Sequence, residues 1–320
     1  MTPKEPAGAT LALGEAGPGG QVLRFSHAAM ATVFEVLCVH ADATYAGQAA
    51  QAAFDLVDRL ELDQSRFIAA SDVSRINALA AGESTRVSPS TMDCLEIARR
   101  MHALTREAFD VSIGTGLDRL DFLPDDFAVR ARAAGARLDL GGIGKGYAVD
   151  RMADLLLEWD VRHALVHGGF SSVLALDAPP GRDGWPLTLS APGPGEGRVL
   201  ARVSARREAL SASGTRKGDH IKDPRTGRAV RDRAAWVALA GRGGAEPEAA
   251  ANAGWPESVQ SPAAVAEALS TAFTILPAEE IEGLWRHCPG LSAWLILEPA
   301  EEGRAAPALV HLAASRPAAG

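Results

Sequence analysis

The sequence predicts an α+β fold built on a mixed, largely antiparallel sheet with helices packed against it, and three observations carry that prediction. Strand-like apolar segments (ALVHG, SSVLALD, WPLTLSA, RVLARVSA and AWVALAG) follow one another from residue 164 to 241, many with connections too short for crossover helices. Segments with helical spacing or helix caps precede and follow them. At 320 residues, 47% apolar and 22% charged, the chain can bury a substantial core.

Residues 1–20 lack apolar periodicity and read as a flexible tail, leaving 21–316 as one domain. ATVFEVLCVH (31–40) has the β-branched and aromatic content of a strand, and residues 45–62 repeat apolar side chains as a helix does. A helix over 71–81 opens on Ser71 and Asp72, and another over 88–108 opens on Ser88 with Pro89 at its first position. The apolar run 136–140 reads as a strand leading into glycines and a helix over about 144–159. Residues 241–261, rich in Gly, Ala, Pro and Glu without periodicity, read as a mobile surface insertion. A helix over 262–276 has Ser261 as its expected cap, and LSAWLILEP and ALVHLA close the chain as strands.

A formal net charge of -8 argues against general nucleic-acid binding, which needs clustered Lys and Arg. Cys38, Cys94 and Cys288 are far apart and form no metal or disulfide pattern. No stretch reaches the roughly 18 apolar residues of a spanning helix, and no signal peptide or lipid-attachment cysteine is visible. These features lead us to expect a cytoplasmic protein without stable membrane insertion.

In LDLGGIGKGYAVDR (138–151), glycines and Lys145 stand between an apolar run and a helix. There, backbone N–H groups and the helix dipole would favour an anion. The P-loop template fails, because Asp139 replaces its first Gly and Gly146 its hydroxyl residue, and G-x-G-x-x-G is absent. Residues 212–230 bring His220, Lys222, Asp223 and Arg225 together around a D-P-R-T-G turn, which turn chemistry alone also explains. His220 has the chemistry of a base. Glu267 and Thr271, four apart on a helix, offer oxygen ligands suited to Mg²⁺, although solvated helix faces carry such pairs too.

Read in order, MATVFE (30–35), SDVSRIN (71–77), AFDVSIG (108–114), LDLGGIGKGYAVDR and HIKDPRTG (220–227) resemble the FAD:protein FMN transferase, or ApbE-like, family over about residues 22–277. The resemblance implies one T-fold-related α+β domain. Its members bind FAD and, with Mg²⁺, move FMN to a Thr or Ser of an acceptor flavoprotein carrying a flavinylation motif, releasing AMP. By position, Met30, Phe67, Ala108, Phe109, Asp110, Asp139 and Lys145 would line the flavin nucleotide. The Gly142 carbonyl, Glu267 and Thr271 would hold Mg²⁺, and His220 would take the acceptor proton. Side chains at 141, 142 or 144 would hold the backbone away from its ligand.

Two departures stand out. AEALSTA (266–272) puts Glu267 where relatives usually carry the shorter Asp, and ALVHGGFSSV (164–173) puts His167 and Ser171 where they commonly have Asn and Asp. His167 by itself reads as a satisfied core or turn residue. The departures leave two further readings, an FAD-sequestering protein without turnover and an FAD pyrophosphatase giving FMN and AMP.

Overall fold

Residues 10–13, 21–191, 198–214, 221–241, 260–288, 290–297 and 308–314 are described in the computed structural model. Their strands are β1 (Thr10–Leu13), β2 (Leu23–Ala29), β3 (Thr32–Cys38), β4 (Ser84–Arg86), β5 (Leu120–Leu123), β6 (Ala128–Ala131) and β7 (Ala164–Gly168). β8 (Ser172–Ala175), β9 (Trp185–Ala191), β10 (Arg198–Ala205), β11 (Glu208–Gly214), β12 (Ala234–Ala240), β13 (Leu291–Leu297) and β14 (Ala308–Leu312) complete them. The helices are α1 (Ala43–Gln64), α2 (Asp72–Asn77), α3 (Pro89–Leu104), α4 (Gly144–Glu158), α5 (Pro262–Ile275) and α6 (Ala278–Arg286).

Eight strands form the central sheet in the order β14-β13-β12-β11-β8-β7-β3-β2, every neighbouring pair antiparallel. Its inner strands alternate between two cores. On β12, Ala235, Val237 and Leu239 face the larger core with α1, α4 and α5, while Ala234, Trp236 and Ala238 face Trp185 and Leu187 of the small sheet β1-β9-β10. Both faces are therefore covered, and the strands read as continuous apolar runs. A third sheet, β4-β6-β5, stands apart from it. Among the described residues no helix is long and apolar enough to cross a membrane.

Several sequence expectations change. Thr10–Leu13, inside the expected flexible tail, pairs antiparallel with β9, whose edge can accept its short apolar run. Residues 136–140 join no sheet. The Asn77 side chain accepts from Leu138 N (2.6 Å) and donates to Leu138 O (3.0 Å), replacing a strand neighbour. Asn77 also ends α2, well short of residue 81. α3 stops at Leu104 because Arg106 and Glu107 adopt left-handed φ of 51° and 66°. Strands β2 and β11 and helix α6 are present in addition to the elements expected from the sequence. Of the expected insertion, residues 242–259 lie outside the described set, as does His220.

Candidate functional site

A cleft of about 910 Å³ opens between the segment after α3, the 139–145 turn, the end of β11, the 221–227 hairpin and α5. This is near the top of the usual range for ligand pockets, about 300–1,000 Å³. It brings together most of the predicted residues: Ala108, Phe109 and Asp110 from the first wall, Asp139, Gly142 and Lys145 from the second, and Glu267 and Thr271 from α5. Met30 and Phe67 instead line an adjoining lobe of about 230 Å³ that shares Arg66, Asp139, Gly141 and Lys145 with the main cleft. Phe67 is 82% exposed, so it is no core residue, and the Arg66 guanidinium stands 4.4 Å from its ring centre.

The 139–146 turn is shaped by hydrogen bonds. Asp139 accepts from Gly141 N (2.8 Å) and pairs with Arg66 (2.9 Å), while Ile143 N and Gly144 N both donate to Leu140 O. A Cβ at Gly142 would lie 3.3 Å from the Phe109 ring and 3.9 Å from Thr271 Oγ1, so glycine there lets the turn close onto both walls. Gly146 has a different reason to be glycine. Its Cβ would fall 2.3 Å from Ala263 O, and its absence permits α4 to cross α5 at close range.

That crossing places two carboxylates. Asp150 of α4 accepts from Ala263 N and Ala264 N (2.9 Å each), supplying the cap expected of Ser261. Ser261 makes no capping bond of its own and its hydroxyl instead accepts from Arg151 (3.0 Å). In return, Glu267 of α5 reaches the first turn of α4, where Oε2 accepts from Gly146 N (2.6 Å) and Oε1 pairs with Lys145 Nζ. Each helix N-terminus thus receives an acidic side chain from the other helix, satisfying donors that no intrahelical acceptor reaches.

Asp110 lines the cleft by shaping it: its oxygens accept from Ser112 N (2.7 Å), Ser112 Oγ (2.6 Å) and Gly114 N (2.8 Å). The bonds hold Ile113 at φ 53°, an uncommon state for a β-branched residue, at the cleft wall. Gly114 packs against the Pro224 carbonyl, 3.0 Å from where a Cβ would stand, and so joins the AFDVSIG and HIKDPRTG segments. Asp223 accepts from Arg225 N and Nε (2.9 Å each), which is turn chemistry. Burial works to raise the Asp223 carboxyl, but the Arg225 guanidinium and backbone N–H hold it below its ordinary value.

His167 does not line the cleft. Its Nε2 lies 2.6 Å from Glu35 and its Nδ1 3.0 Å from Gly169 O, which makes it the satisfied histidine the sequence suggested. Ser171 does line the cleft. Reasoning from sequence missed Arg66, Asn77, Gly146, Asp150 and Ser213. Ser213 Oγ stands 3.3 Å from Thr271 Oγ1 and 2.8 Å from Ser270 Oγ. Only Gly146 gave a signal, as a glycine in the first turn of a helix.

Among the described residues no group of three or more His, Cys, Asp or Glu is placed to hold a metal. Gly142, Glu267 and Thr271, the residues expected to offer oxygen to Mg²⁺, all line the cleft, and the Glu267 oxygens there meet Gly146 N and Lys145 Nζ.

In sequence, this chain is 26% identical over 223 residues to a FAD:protein FMN transferase of Vibrio cholerae, a match covering 58% of this chain and 66% of that protein. It is 27% identical over 210 residues to the Klebsiella pneumoniae protein of the same description, covering 54% and 64%. The matches thus span just under two thirds of those relatives' lengths. In fold, it is similar to the flavin transferase ApbE from Vibrio cholerae, with TM-score 0.73, 18% identity, and 92% and 97% of the two chains covered. The Pseudomonas stutzeri flavinyl transferase ApbE in its apo form gives 0.73 at 20% identity, covering 92% and 95%. The model of the ApbE family matches residues 30–255, well over half the sequence, and on that match the chain belongs to the ApbE family.

Proposed function

We propose that the chain catalyses Mg²⁺-dependent transfer of FMN from FAD to a Thr or Ser hydroxyl of an acceptor protein, with release of AMP. The observation that most supports this reading is the single cleft lined by Ala108, Phe109, Asp110, Asp139, Lys145, Glu267 and Thr271, residues drawn from three separated motifs. In the reaction, the acceptor oxygen bonds to the flavin-side phosphorus, the phosphoanhydride bond breaks, and its electron pair leaves with AMP. His220 takes the hydroxyl proton, a role that rests on the HIKDPRTG motif. Lys145, beside the glycine turn, neutralises phosphate charge. Gly142 O, Glu267 and Thr271 would hold Mg²⁺, which when bound supplies charge stabilisation to the diphosphate oxygens.

The test is mass spectrometry of an acceptor protein incubated with the purified chain, FAD and Mg²⁺. We expect one FMN-sized addition on a Thr or Ser and an equal amount of AMP; the absence of both products would overturn the proposal. His220→Ala should leave FAD binding intact and lower transfer by roughly 10².

One observation favours a second reading. Both Glu267 oxygens are already engaged, by Lys145 and Gly146 N, as they would be in a protein that holds FAD without turning it over. That reading expects an FAD-loaded protein that releases no AMP at any Mg²⁺ concentration. Release of free FMN in place of bound FMN would indicate a pyrophosphatase.

A further inference from the structure

α1 buries a stripe that includes Val57, Leu60 and Gln64, so the last position of an otherwise apolar face carries an amide. Gln64 is only 5% exposed. Its Nε2 donates a long hydrogen bond to Ser90 O (3.4 Å), and its Oε1 is buried with no hydrogen-bond partner. A buried acceptor left unpaired is costly, and an apolar residue of similar size would be cheaper. The residue lines the smaller lobe beside Met30, Phe67 and Lys145. Oε1 lies 3.9 Å from where a Cβ of Gly144 would stand, so residue 144 itself places no side chain over it. The largely uncovered Phe67 ring offers a flat apolar face in the same lobe.

We propose that Gln64 is a specificity-determining residue whose Oε1 accepts a hydrogen bond from an N–H on a flat heteroaromatic ring bound in this lobe. This rests on the FAD reading above, in which either the adenine amino group or the flavin imide supplies that N–H. The retained amide then costs stability in the free protein and is repaid when ligand binds.

The experiment measures melting temperature and the affinities of FAD, FMN and AMP for the wild type, Gln64→Leu and Gln64→Met. We expect both ligand-free variants to melt about 2 °C or more above the wild type. FAD should bind them about five- to tenfold more weakly. The loss should reappear with FMN alone if the flavin imide is the donor, and with AMP alone if adenine is. Unchanged FAD affinity in both variants, or equal loss with FMN and AMP, would overturn the assignment while leaving the FAD reading intact. A wild type that binds no FAD would instead overturn that reading, and the assignment with it.

Discussion

Met30 and Ala31 make the tight connection between β2 and β3, both with left-handed φ, 49° and 56°. Two-residue hairpin turns of this hand favour Asn and Gly, because a side chain there costs about 1–2 kcal/mol. Glu61 of α1 accepts from Met30 N (2.8 Å) and holds the turn against the smaller lobe of the cleft. Ala31→Gly should therefore raise unfolding free energy by about 0.5–1 kcal/mol, after allowing for the extra entropy of unfolded glycine. Urea denaturation checks this, and a lower midpoint would contradict the strain. That Asp110, Asp139, Lys145, Glu267 and Thr271 belong together was legible through the family resemblance, and all five line one cleft. Their partners were not legible. Nothing in the residue spacing says that Asp110 spends its oxygens on its own loop, or that Glu267 meets the first turn of α4.

Helices α4 and α5 form a unit in which each supplies the other's N-terminal carboxylate, and the contact exists because Gly146 lets the two backbones approach. Gly146→Ala sets a methyl group against the backbone of Ala263, which cannot rotate away, and should cost about 2 kcal/mol or more by overpacking. Equilibrium unfolding measures it, and a neutral result would mean that the helices do not cross so closely. Asp150→Ala leaves two buried N–H groups unpaired and should cost about 1–3 kcal/mol. It should also weaken FAD binding, since the displaced α5 carries Glu267 and Thr271. Helix α5 shows why the sequence reached only part of this arrangement. Its position was evident from Pro262 and the apolar run, but nearly every residue in it is buried, so no polar face told which side meets α4.

Across the whole molecule, strand order and pairing could be inferred only as far as antiparallel character. The position of β2 beside β3, and of β1 on β9, depends on edges that open only once the sheets assemble. One network ties the edge strand β2 to its two inner neighbours: exposed Ser26 and buried Glu35 and His167 stand opposite one another on β2, β3 and β7. Burial alone would raise the Glu35 carboxyl, but hydrogen bonds from His167, Ser26 and Arg24 outweigh it and bring it down to about 2 from 4.5. A carboxyl lowered in the folded state adds stability above its unfolded value and loses it as the pH falls through the folded one. Glu35 should thus contribute up to about 3 kcal/mol above pH 4.5, vanishing toward pH 2. The stability gap between wild type and Glu35→Gln should narrow across that range; a constant gap would contradict the network. If the cleft beside the α4–α5 crossing holds FAD, calorimetric titration of FAD into the purified protein with Mg²⁺ present will detect it. One FAD should bind saturably per chain, at least tenfold more weakly in Lys145→Met. Absence of saturable binding, or equal affinity in that variant, would contradict FAD binding in this cleft.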